Sequence, residues 1–269
     1  MKVKSAARNL LLLAVLLVLA ACSTVPITGR SQVTLISQSS MLAMSFQQYD
    51  EFLSTHPTIE NSPEARLVKK VGRRIQEAVE RYFAANGLSQ QLDDYRWEFH
   101  LVQDIAANAW CMPGGKVVIY TGILPLTRDE TGLAVVMGHE IAHAVARHGS
   151  ERMSQVLVAQ LGGMALSRAL AEKPEATQSL WMAAYGVGTQ FGLLLPYSRL
   201  HEKEADHLGL IFMAMAGYDP RAAVDFWGRM TEQGAGRKPP EFLSTHPSDR
   251  TRIQQIRHLL PEARQYYQN

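Results

Sequence analysis

The residues of this chain best placed to do chemistry form the pentapeptide His139-Glu140-Ile141-Ala142-His143. It lies within Thr131–Val145, an apolar stretch whose pattern predicts a helix. Residues four apart share a helical face, so both imidazoles can reach one metal ion. The Glu140 carboxylate is rotated from His139 by about 100° and can address a water beside that ion. The pentapeptide therefore predicts a zinc site in which Glu140 is the general base.

A catalytic zinc site needs three protein ligands, and the helix predicted for Ser198–Ala216 offers the third. Glu202 and Asp206 are four residues apart and share a face of that helix. This arrangement suits Glu202 as a ligand and Asp206 as the acceptor for a histidine N–H. His201 and His207 are rivals by residue type, but neither has so well placed a carboxylate partner. We expect one Zn²⁺ per chain, because two imidazoles and one carboxylate favour zinc.

The two motifs together resemble a family of zinc peptidases that includes the HtpX heat-shock proteases and the CAAX prenyl proteases. Within that family the resemblance is greatest to periplasmic lipoproteins that lack transmembrane helices. It extends from about residue 60 to the C-terminus. The further matching stretches are Asn108-Ala109-Trp110, Pro113-Gly114-Gly115-Lys116-Val117, Tyr120-Thr121-Gly122, Arg147-His148, Thr245-His246-Pro247 and Arg252-Ile253.

The resemblance implies roles for residues outside the two motifs. His246 and Arg252 match positions beside the active site, where they would bind the oxyanion of the transition state. His246 would alternatively cap the metal in a resting state. Asn108 and Tyr120 could contact substrate backbone, although a turn asparagine and a strand aromatic are common structural residues.

We expect a metalloendopeptidase that hydrolyses unfolded, misfolded or exposed segments of cell-envelope proteins. The strand predicted within Lys116–Thr121, if it forms a sheet edge, would pair with an extended polypeptide substrate. The alternative is an envelope lipoprotein that assists outer-membrane protein assembly mainly by binding, in contact with the assembly machinery.

The N-terminal segment resembles a bacterial lipoprotein signal. Three basic residues precede the apolar run Leu10–Ala21, and Leu19-Ala20-Ala21-Cys22 matches a lipoprotein box. We predict a signal peptide at residues 1–21, acylation of Cys22 and a flexible tether over 22–40. An ordinary cleaved signal is the alternative. Ser23 is not the aspartate associated with inner-membrane retention, so we expect an outer-membrane anchor that faces the periplasm.

Charge and length limit the kinds of partner the chain can bind and the number of domains it can form. Without the three N-terminal basic residues, 24 basic and 25 acidic residues remain, which gives no electrostatic case for nucleic-acid binding. At 269 residues, 46% of them hydrophobic, the chain is long enough for one sizeable domain, which we place at 41–269. Cys111, with apolar neighbours, is expected to be a buried structural thiol.

The residue pattern predicts an α+β domain that is mainly helical with one small sheet. The predicted helices are Met41–Leu53, Pro63–Phe83, Asp129–Leu170, Ser179–Leu195, Ser198–Ala216, Pro220–Gln233 and one from Ser248; the predicted strands are Tyr95–Gln103 and Val117–Thr121.

Two further stretches of sequence are distinctive. The apolar stretch Gln178–Pro196 is predicted to be core or a cover over the active site, with membrane contact as the less favoured interpretation. The heptapeptide Glu-Phe-Leu-Ser-Thr-His-Pro occurs at Glu51–Pro57 and again at Glu241–Pro247 without matching flanks, so it is not a structural repeat.

Overall fold

A computed structural model describes residues 22–25, 28–190, 194–234, 240–246 and 250–267. The predicted signal peptide, residues 1–21, lies outside these ranges. The chain divides into two compact units. The larger unit comprises Met41–Ala146 and Arg199–Asn269, and the smaller unit comprises the chain up to Ser40 together with Arg147–Ser198. The domain predicted at 41–269 includes the larger unit and residues 147–198 of the smaller unit.

The described chain is mainly helical, as predicted for an α+β protein. Its helices are α1 (Gln38–Thr55), α2 (Pro63–Ala85), α3 (Leu124–Thr127), α4 (Glu130–Val145), α5 (His148–Leu170), α6 (Glu175–Thr189), α7 (Leu195–Met215), α8 (Ala222–Gly234), α9 (Glu241–Thr245) and α10 (Arg250–Ala263). Short 3₁₀ turns occur at Ser89–Leu92, Thr121–Ile123 and Arg264–Tyr266. Among the described residues, the helices are too short or too polar to span a membrane.

Two small sheets lie within the described residues. In the smaller unit β1 (Cys22–Thr24) pairs antiparallel with β2 (Ser31–Val33). In the larger unit β3 (Thr58–Ile59), β4 (Glu98–Val102), β5 (Ala109–Met112) and β6 (Lys116–Tyr120) form a sheet in the order β3-β4-β6-β5. β4 and β6 run parallel, and the other pairs are antiparallel.

The position of β6 corrects the predicted sheet edge. β6 lies between β4 and β5, and all five of its residues are buried. The turn at Gly114 and Gly115, both with positive φ, folds the chain back so that β5 pairs along the outer side of β6. β5, a strand that the residue pattern did not predict, is therefore an edge strand of the described part of the sheet, and β3 is the other edge.

Helix α2 shows how closely local sequence dictates structure. Its N-cap Ser62 accepts a hydrogen bond from the Ala65 N–H, and Pro63 occupies the first turn, as predicted. The apolar residues three or four apart are buried on one face, which packs on β4 and on α4. Gly72 lies so close to the ring of Phe99 that a Cβ there would lie 2.3 Å from a ring carbon. The side chain of Phe99 therefore packs directly on the helix backbone.

The predicted helix Asp129–Leu170 is two helices. Asp129 caps the start of α4 by accepting a hydrogen bond from the Gly132 N–H. The helix ends before Arg147, which has a left-handed backbone with φ 59°, and α5 begins at His148. A non-glycine residue in this conformation is uncommon, so the apolar pattern alone gave no signal for the break.

The smaller unit differs from prediction in two ways. Residues 22–40, predicted to be a flexible tether, contain the β1–β2 pair and the start of α1. Arg30 forms an ion pair with Glu151 of α5, and the Leu35 N–H donates to the Ser154 hydroxyl. Helix α6, which covers most of the stretch predicted to be core, contains no buried residue, so the core interpretation is wrong.

Candidate metal centre and active site

Two glycines let the helices that carry the predicted ligands touch backbone to backbone. A Cβ on Gly138 of α4 would lie 2.9 Å from the carbonyl oxygen of Gly209 in α7, and a Cβ on Gly209 would lie 2.9 Å from the His139 nitrogen. Any larger side chain would force the helices apart. This contact places His139 of α4 opposite two carboxylates of α7, Asp206 and Glu202, which lie one and two turns before Gly209.

Four side chains converge on one point between these helices. Among the described residues, ligand atoms of His139, His143, Glu202 and His246 all lie within 4.8 Å of one another. The His139 Nε2 lies 3.1 Å from both the His143 Nε2 and the His246 Nδ1. The Glu202 carboxylate oxygens lie 3.3 Å from the Nε2 atoms of His139 and His143, and 3.1 Å from the His246 Nδ1.

This arrangement fits a zinc ion. Ligand atoms at about 2.1 Å from a tetrahedral zinc lie about 3.4 Å from one another, close to the observed spacings. Imidazole nitrogens that face one another so closely need a cation or a proton between their lone pairs. The three predicted ligands are therefore brought together, and His246 joins them as a fourth candidate donor.

Asp206 and Arg252 support the ligand His139 from behind. The Asp206 Oδ1 lies 3.0 Å from the His139 Nδ1, which directs Nε2 towards the other ligands. Both Asp206 oxygens also accept hydrogen bonds from Arg252, at 2.7 and 2.8 Å. Arg252 Nη1 lies 3.2 Å from a Glu202 oxygen, so the guanidinium contacts both Glu202 and Asp206. Asp206 thus lies between His139 and Arg252, and its role as support for a metal ligand stays a prediction.

The electrostatics of this cluster favour a bound cation. Burial acts to raise the pKa of Asp206, but Arg252 and the His139 hydrogen bond outweigh it and hold that pKa below its usual value. Burial acts to lower the pKa of His139, but hydrogen bonds with Asp206 and Glu202 raise that pKa to about 9. The carboxylates therefore stay charged and stabilise positive charge at the ring of His139.

Glu140 has the surroundings expected of a general base. It is 3% exposed, and its Oε1 has no hydrogen-bond partner among the described groups. That oxygen lies 3.3 Å from the His246 Nε2 without hydrogen-bond geometry. Burial raises the pKa of Glu140. An orphaned carboxylate oxygen beside a metal-ligand cluster is suited to bind a water and accept its proton.

The short helix α9 carries His246 into the cluster. The Phe242 N–H donates to the Ala107 carbonyl, and the Asn108 side chain donates to Glu241 at the start of α9. The His246 N–H donates to the Phe242 carbonyl at the end of the helix. Asn108 therefore positions the helix that bears His246. This observed contact differs from the substrate contact predicted for Asn108.

Tyr120 also has a structural environment. Its side chain packs in a cluster with Tyr49, Val102 and Val118, and the Trp110 indole N–H donates to its hydroxyl over 3.5 Å. This burial favours a packing role over the predicted substrate contact. Cys111, on the edge strand β5, is half-buried, and burial together with the charge of Glu140 raises the pKa of its thiol, as suits a structural cysteine.

The other histidines considered from sequence lie outside the convergent group. His207 pairs with Glu262 over 3.0 Å, and His201 is buried elsewhere on α7. His148 is buried at the start of α5 in the smaller unit.

Trp227 on α8 also belongs to the site, although its sequence context did not indicate this. Its buried indole lies under Arg252, with the guanidinium carbon 3.4 Å from the ring centroid. It also contacts the His139 ring edge-on at 5.6 Å and stacks on Phe242 at 5.8 Å. Trp227 thus packs against three parts of the site at once. An apolar residue on an amphipathic helix gave no sequence signal that separated it from ordinary core.

Comparison with known proteins agrees with this geometry. The sequence model of Peptidase family M48 matches residues 69–260. The chain belongs to peptidase family M48. Family membership confirms the resemblance inferred from the two motifs and the predicted enzyme class, a metallopeptidase.

Relatives of this M48 peptidase come from mitochondria and from bacteria. The mitochondrial metalloendopeptidase OMA1 of Schizosaccharomyces pombe is 36% identical over 89% of this chain and 66% of its own length. The human OMA1 metalloendopeptidase is 32% identical over 88% of this chain and 46% of its own. The putative beta-barrel assembly-enhancing protease of Vibrio cholerae is 34% identical over 62% of this chain and 35% of its own. The chain therefore spans between a third and two thirds of these relatives.

Proposed function

We propose that this M48 peptidase is a zinc-dependent endopeptidase that cleaves unfolded, misfolded or exposed segments of cell-envelope proteins. The observation that carries the proposal is the convergence of His139, His143 and Glu202 on one point beside the orphaned carboxylate of Glu140. A zinc ion held by those three side chains would polarise the scissile carbonyl and lower the pKa of the attacking water.

The residues of the chain supply the proton transfers. Glu140 accepts a proton as the water oxygen forms its bond to the peptide carbonyl carbon. It then donates that proton to the amide nitrogen as the C–N bond breaks, so the products are a carboxyl group and a free amine. The raised pKa of Glu140 suits this double role, because burial favours the protonated form that the carboxylate reaches when it accepts the proton from water.

Groups around Glu140 would stabilise the charge that develops on the carbonyl oxygen. Arg252 is 5% exposed and is held by Asp206, so its guanidinium contributes a fixed positive charge beside Glu202. His246 would donate a second hydrogen bond after it leaves the ligand cluster. In the observed arrangement its Nδ1 occupies the space among the ligand atoms, which supports the resting-state cap.

The edge strand β5 is the proposed platform for substrate. It packs against the active-site helix α4 and presents a free side in the described part of the sheet. An extended polypeptide could pair with this side through backbone hydrogen bonds, which read few side chains. This mode favours unfolded or flexible substrates. It replaces the pairing with β6 that the sequence suggested.

The cell envelope is the proposed location. Residues 1–21 would act as a lipoprotein signal, and acylated Cys22 would anchor the protein to the outer membrane on its periplasmic side. The name of the Vibrio cholerae relative supports an envelope role, whereas the names of the OMA1 relatives refer to mitochondria. Contact with outer-membrane assembly machinery is part of the same proposal.

A second candidate function is assistance of outer-membrane protein assembly mainly by binding. The position of His246 favours it, because a histidine that stays among the ligand atoms would keep substrate carbonyls out. The two functions differ in whether the chain cleaves a bound polypeptide.

Zinc content and β-casein cleavage, measured together on the full chain, test the proposal. We expect one zinc per chain, and we expect Glu140→Gln to retain zinc while kcat falls by about 10²- to 10⁴-fold. The control is Glu130→Gln, the same change at the start of the same helix, which should leave kcat per folded molecule unchanged. Cleavage by Glu140→Gln at the wild-type rate would falsify the mechanism. Zinc bound without cleavage in any form would favour the binding role.

A further inference from the structure

The hairpin of α5 and α6 is apolar and exposed at the same time. None of the residues of α6 is buried, and in α5 the buried residues are confined to its first two turns. Residues 153–167 and 176–198 contain no Asp, Glu, Lys or Arg. Charged residues of the hairpin are therefore restricted to its base and to the turn between the helices. A hairpin in contact with water alone would be expected to carry charges along its exposed faces.

Large apolar side chains are exposed on both helices. Met164 and Leu180 are each 69% exposed, and Trp181 is 55% exposed. On α5, Met153, Leu157 and Leu161 extend the exposed surface at spacings of four residues. Contiguous apolar surface of this kind on a protein usually marks contact with another molecule or with a membrane.

One contact between the two helices is made by residues other than these exposed side chains. Tyr185 of α6 packs over Gly162 and Gly163 of α5, and its hydroxyl donates to the Ala159 carbonyl. The absence of side chains on the two glycines lets the tyrosine ring lie on the helix backbone. The exposed residues therefore remain available for a surface outside the hairpin.

The base of the hairpin is joined to the N-terminal segment within the same unit. Arg30, just before β2, makes two hydrogen bonds to the buried carboxylate of Glu151, at 2.9 and 2.7 Å. The Leu35 N–H, just after β2, donates to the Ser154 hydroxyl. β2 pairs with β1, which begins at Cys22, directly after the apolar run Leu10–Ala21. The chain that leads to the membrane is thus linked through one strand pair to the start of α5.

We propose that the α5–α6 hairpin lies in the surface of the lipid bilayer to which the N-terminus is attached. Met164, Leu180 and Trp181 would enter the boundary between headgroups and acyl chains. The charged turn, which contains Arg168, Glu172, Lys173 and Glu175, would stay among the headgroups. A tryptophan at this depth is typical of membrane-bound proteins. The proposal rests on the membrane attachment in the proposed function, because the N-terminal segment brings the hairpin to the bilayer.

Quenching of Trp181 fluorescence by brominated lipids tests the proposal. The full chain is reconstituted into vesicles of phosphatidylethanolamine and phosphatidylglycerol, at no more than one chain per vesicle, with and without brominated acyl chains. We expect brominated lipid to quench part of the wild-type emission, and we expect Trp181→Phe to abolish that part. Trp97→Phe is the matched control, since Trp97 packs against Tyr95 and Phe99 in the larger unit and its loss should leave the quenched part intact.

Other measurements separate the ways in which the proposal can fail. If the chain floats with the vesicles but wild type and Trp181→Phe are quenched equally, the hairpin does not enter lipid and the proposal is wrong. If Trp181 is unquenched in vesicles but becomes shielded from acrylamide only at high protein density, a second copy covers the hairpin instead. Failure to float would overturn the membrane attachment itself. β-casein cleavage by the same preparation reports separately on the peptidase function.

Discussion

The heptapeptide Glu-Phe-Leu-Ser-Thr-His-Pro occurs twice in the larger unit, and its two copies have the same local structure but different surroundings. In both, a helix ends at the threonine and the histidine N–H donates to the phenylalanine carbonyl, over 3.1 Å at His56 and 2.9 Å at His246. In each copy the threonine hydroxyl also donates to the carbonyl of the phenylalanine three residues before it. Local sequence thus determines the backbone of this turn in both places.

Both histidine rings pack near the phenylalanine of their own copy, but their polar partners differ. The His56 ring stacks on Phe52 at 3.9 Å, and its Nδ1 lies 2.9 Å from the carbonyl of that residue. The His246 Nδ1 lies 3.1 Å from the carboxylate oxygens of Glu202 and from the His139 ring. Phe242, which corresponds to Phe52 in the second copy of the heptapeptide, is fully buried against Trp227. The chemistry of His246 therefore comes from helices distant in sequence.

The largest effect on these surroundings is expected from Gly209→Ala. The new Cβ would lie 2.9 Å from the His139 nitrogen and 3.0 Å from the Gly138 carbonyl carbon, both backbone atoms that cannot move aside alone. We expect a loss of about 3 kcal/mol in the free energy of unfolding, measured by urea denaturation followed by circular dichroism, together with weaker zinc binding. The α9 turn that precedes His246 should be unaffected in its local conformation.

Gly228→Ala is the control for this prediction. Gly228 lies in α8, and a Cβ there meets nothing within 4 Å. Because alanine favours helix over glycine, this change should stabilise the protein by about 0.5 to 1 kcal/mol. If Gly209→Ala behaves like Gly228→Ala, the two helices do not depend on the close approach and our account of the site is wrong.

Asp206→Asn is expected to weaken zinc binding by about 10- to 100-fold. An amide cannot accept both the Arg252 hydrogen bonds and the His139 N–H as the carboxylate does, so the ring of His139 would lose its fixed orientation. Competition with a chromophoric chelator measures the affinity.

Asp219→Asn makes the same substitution at another aspartate that binds an arginine, Arg221. That pair is largely exposed, so zinc affinity should not change. Equal weakening by both substitutions would show that Asp206 acts through general charge and not through His139.

The sequence predicted the elements whose signals are local. The HEIAH spacing and the Glu202–Asp206 spacing each require one helix alone, and the structure brings these side chains together as expected. The start of α2 was predicted because both of its signals are local: Ser62 is the residue just before the helix, and Pro63 is the first residue within it.

Features that depend on contacts between distant segments were not predictable. The order of strands in the sheet, the close approach of Gly138 and Gly209, and the position of Trp227 under Arg252 all arise from tertiary packing. The break at Arg147 requires a backbone conformation for which arginine gives no signal. Residues that interact along one helix can be read from spacing, whereas residues that meet across the fold cannot.

The smallest effect is expected from His246→Ala, and it compares the two heptapeptides directly. Because the His246 Nδ1 lies among the ligand atoms, its removal should free the site and raise β-casein cleavage by about two- to tenfold. Zinc content should remain at one per chain, since His139, His143 and Glu202 are intact. His56→Ala is the control with identical flanking sequence, and its cleavage rate should equal that of wild type. A fall in kcat for His246→Ala would assign the residue to stabilisation of the oxyanion, because loss of that donor outweighs loss of the cap. Equal changes in both variants would mean that the surroundings of the two copies do not separate their functions.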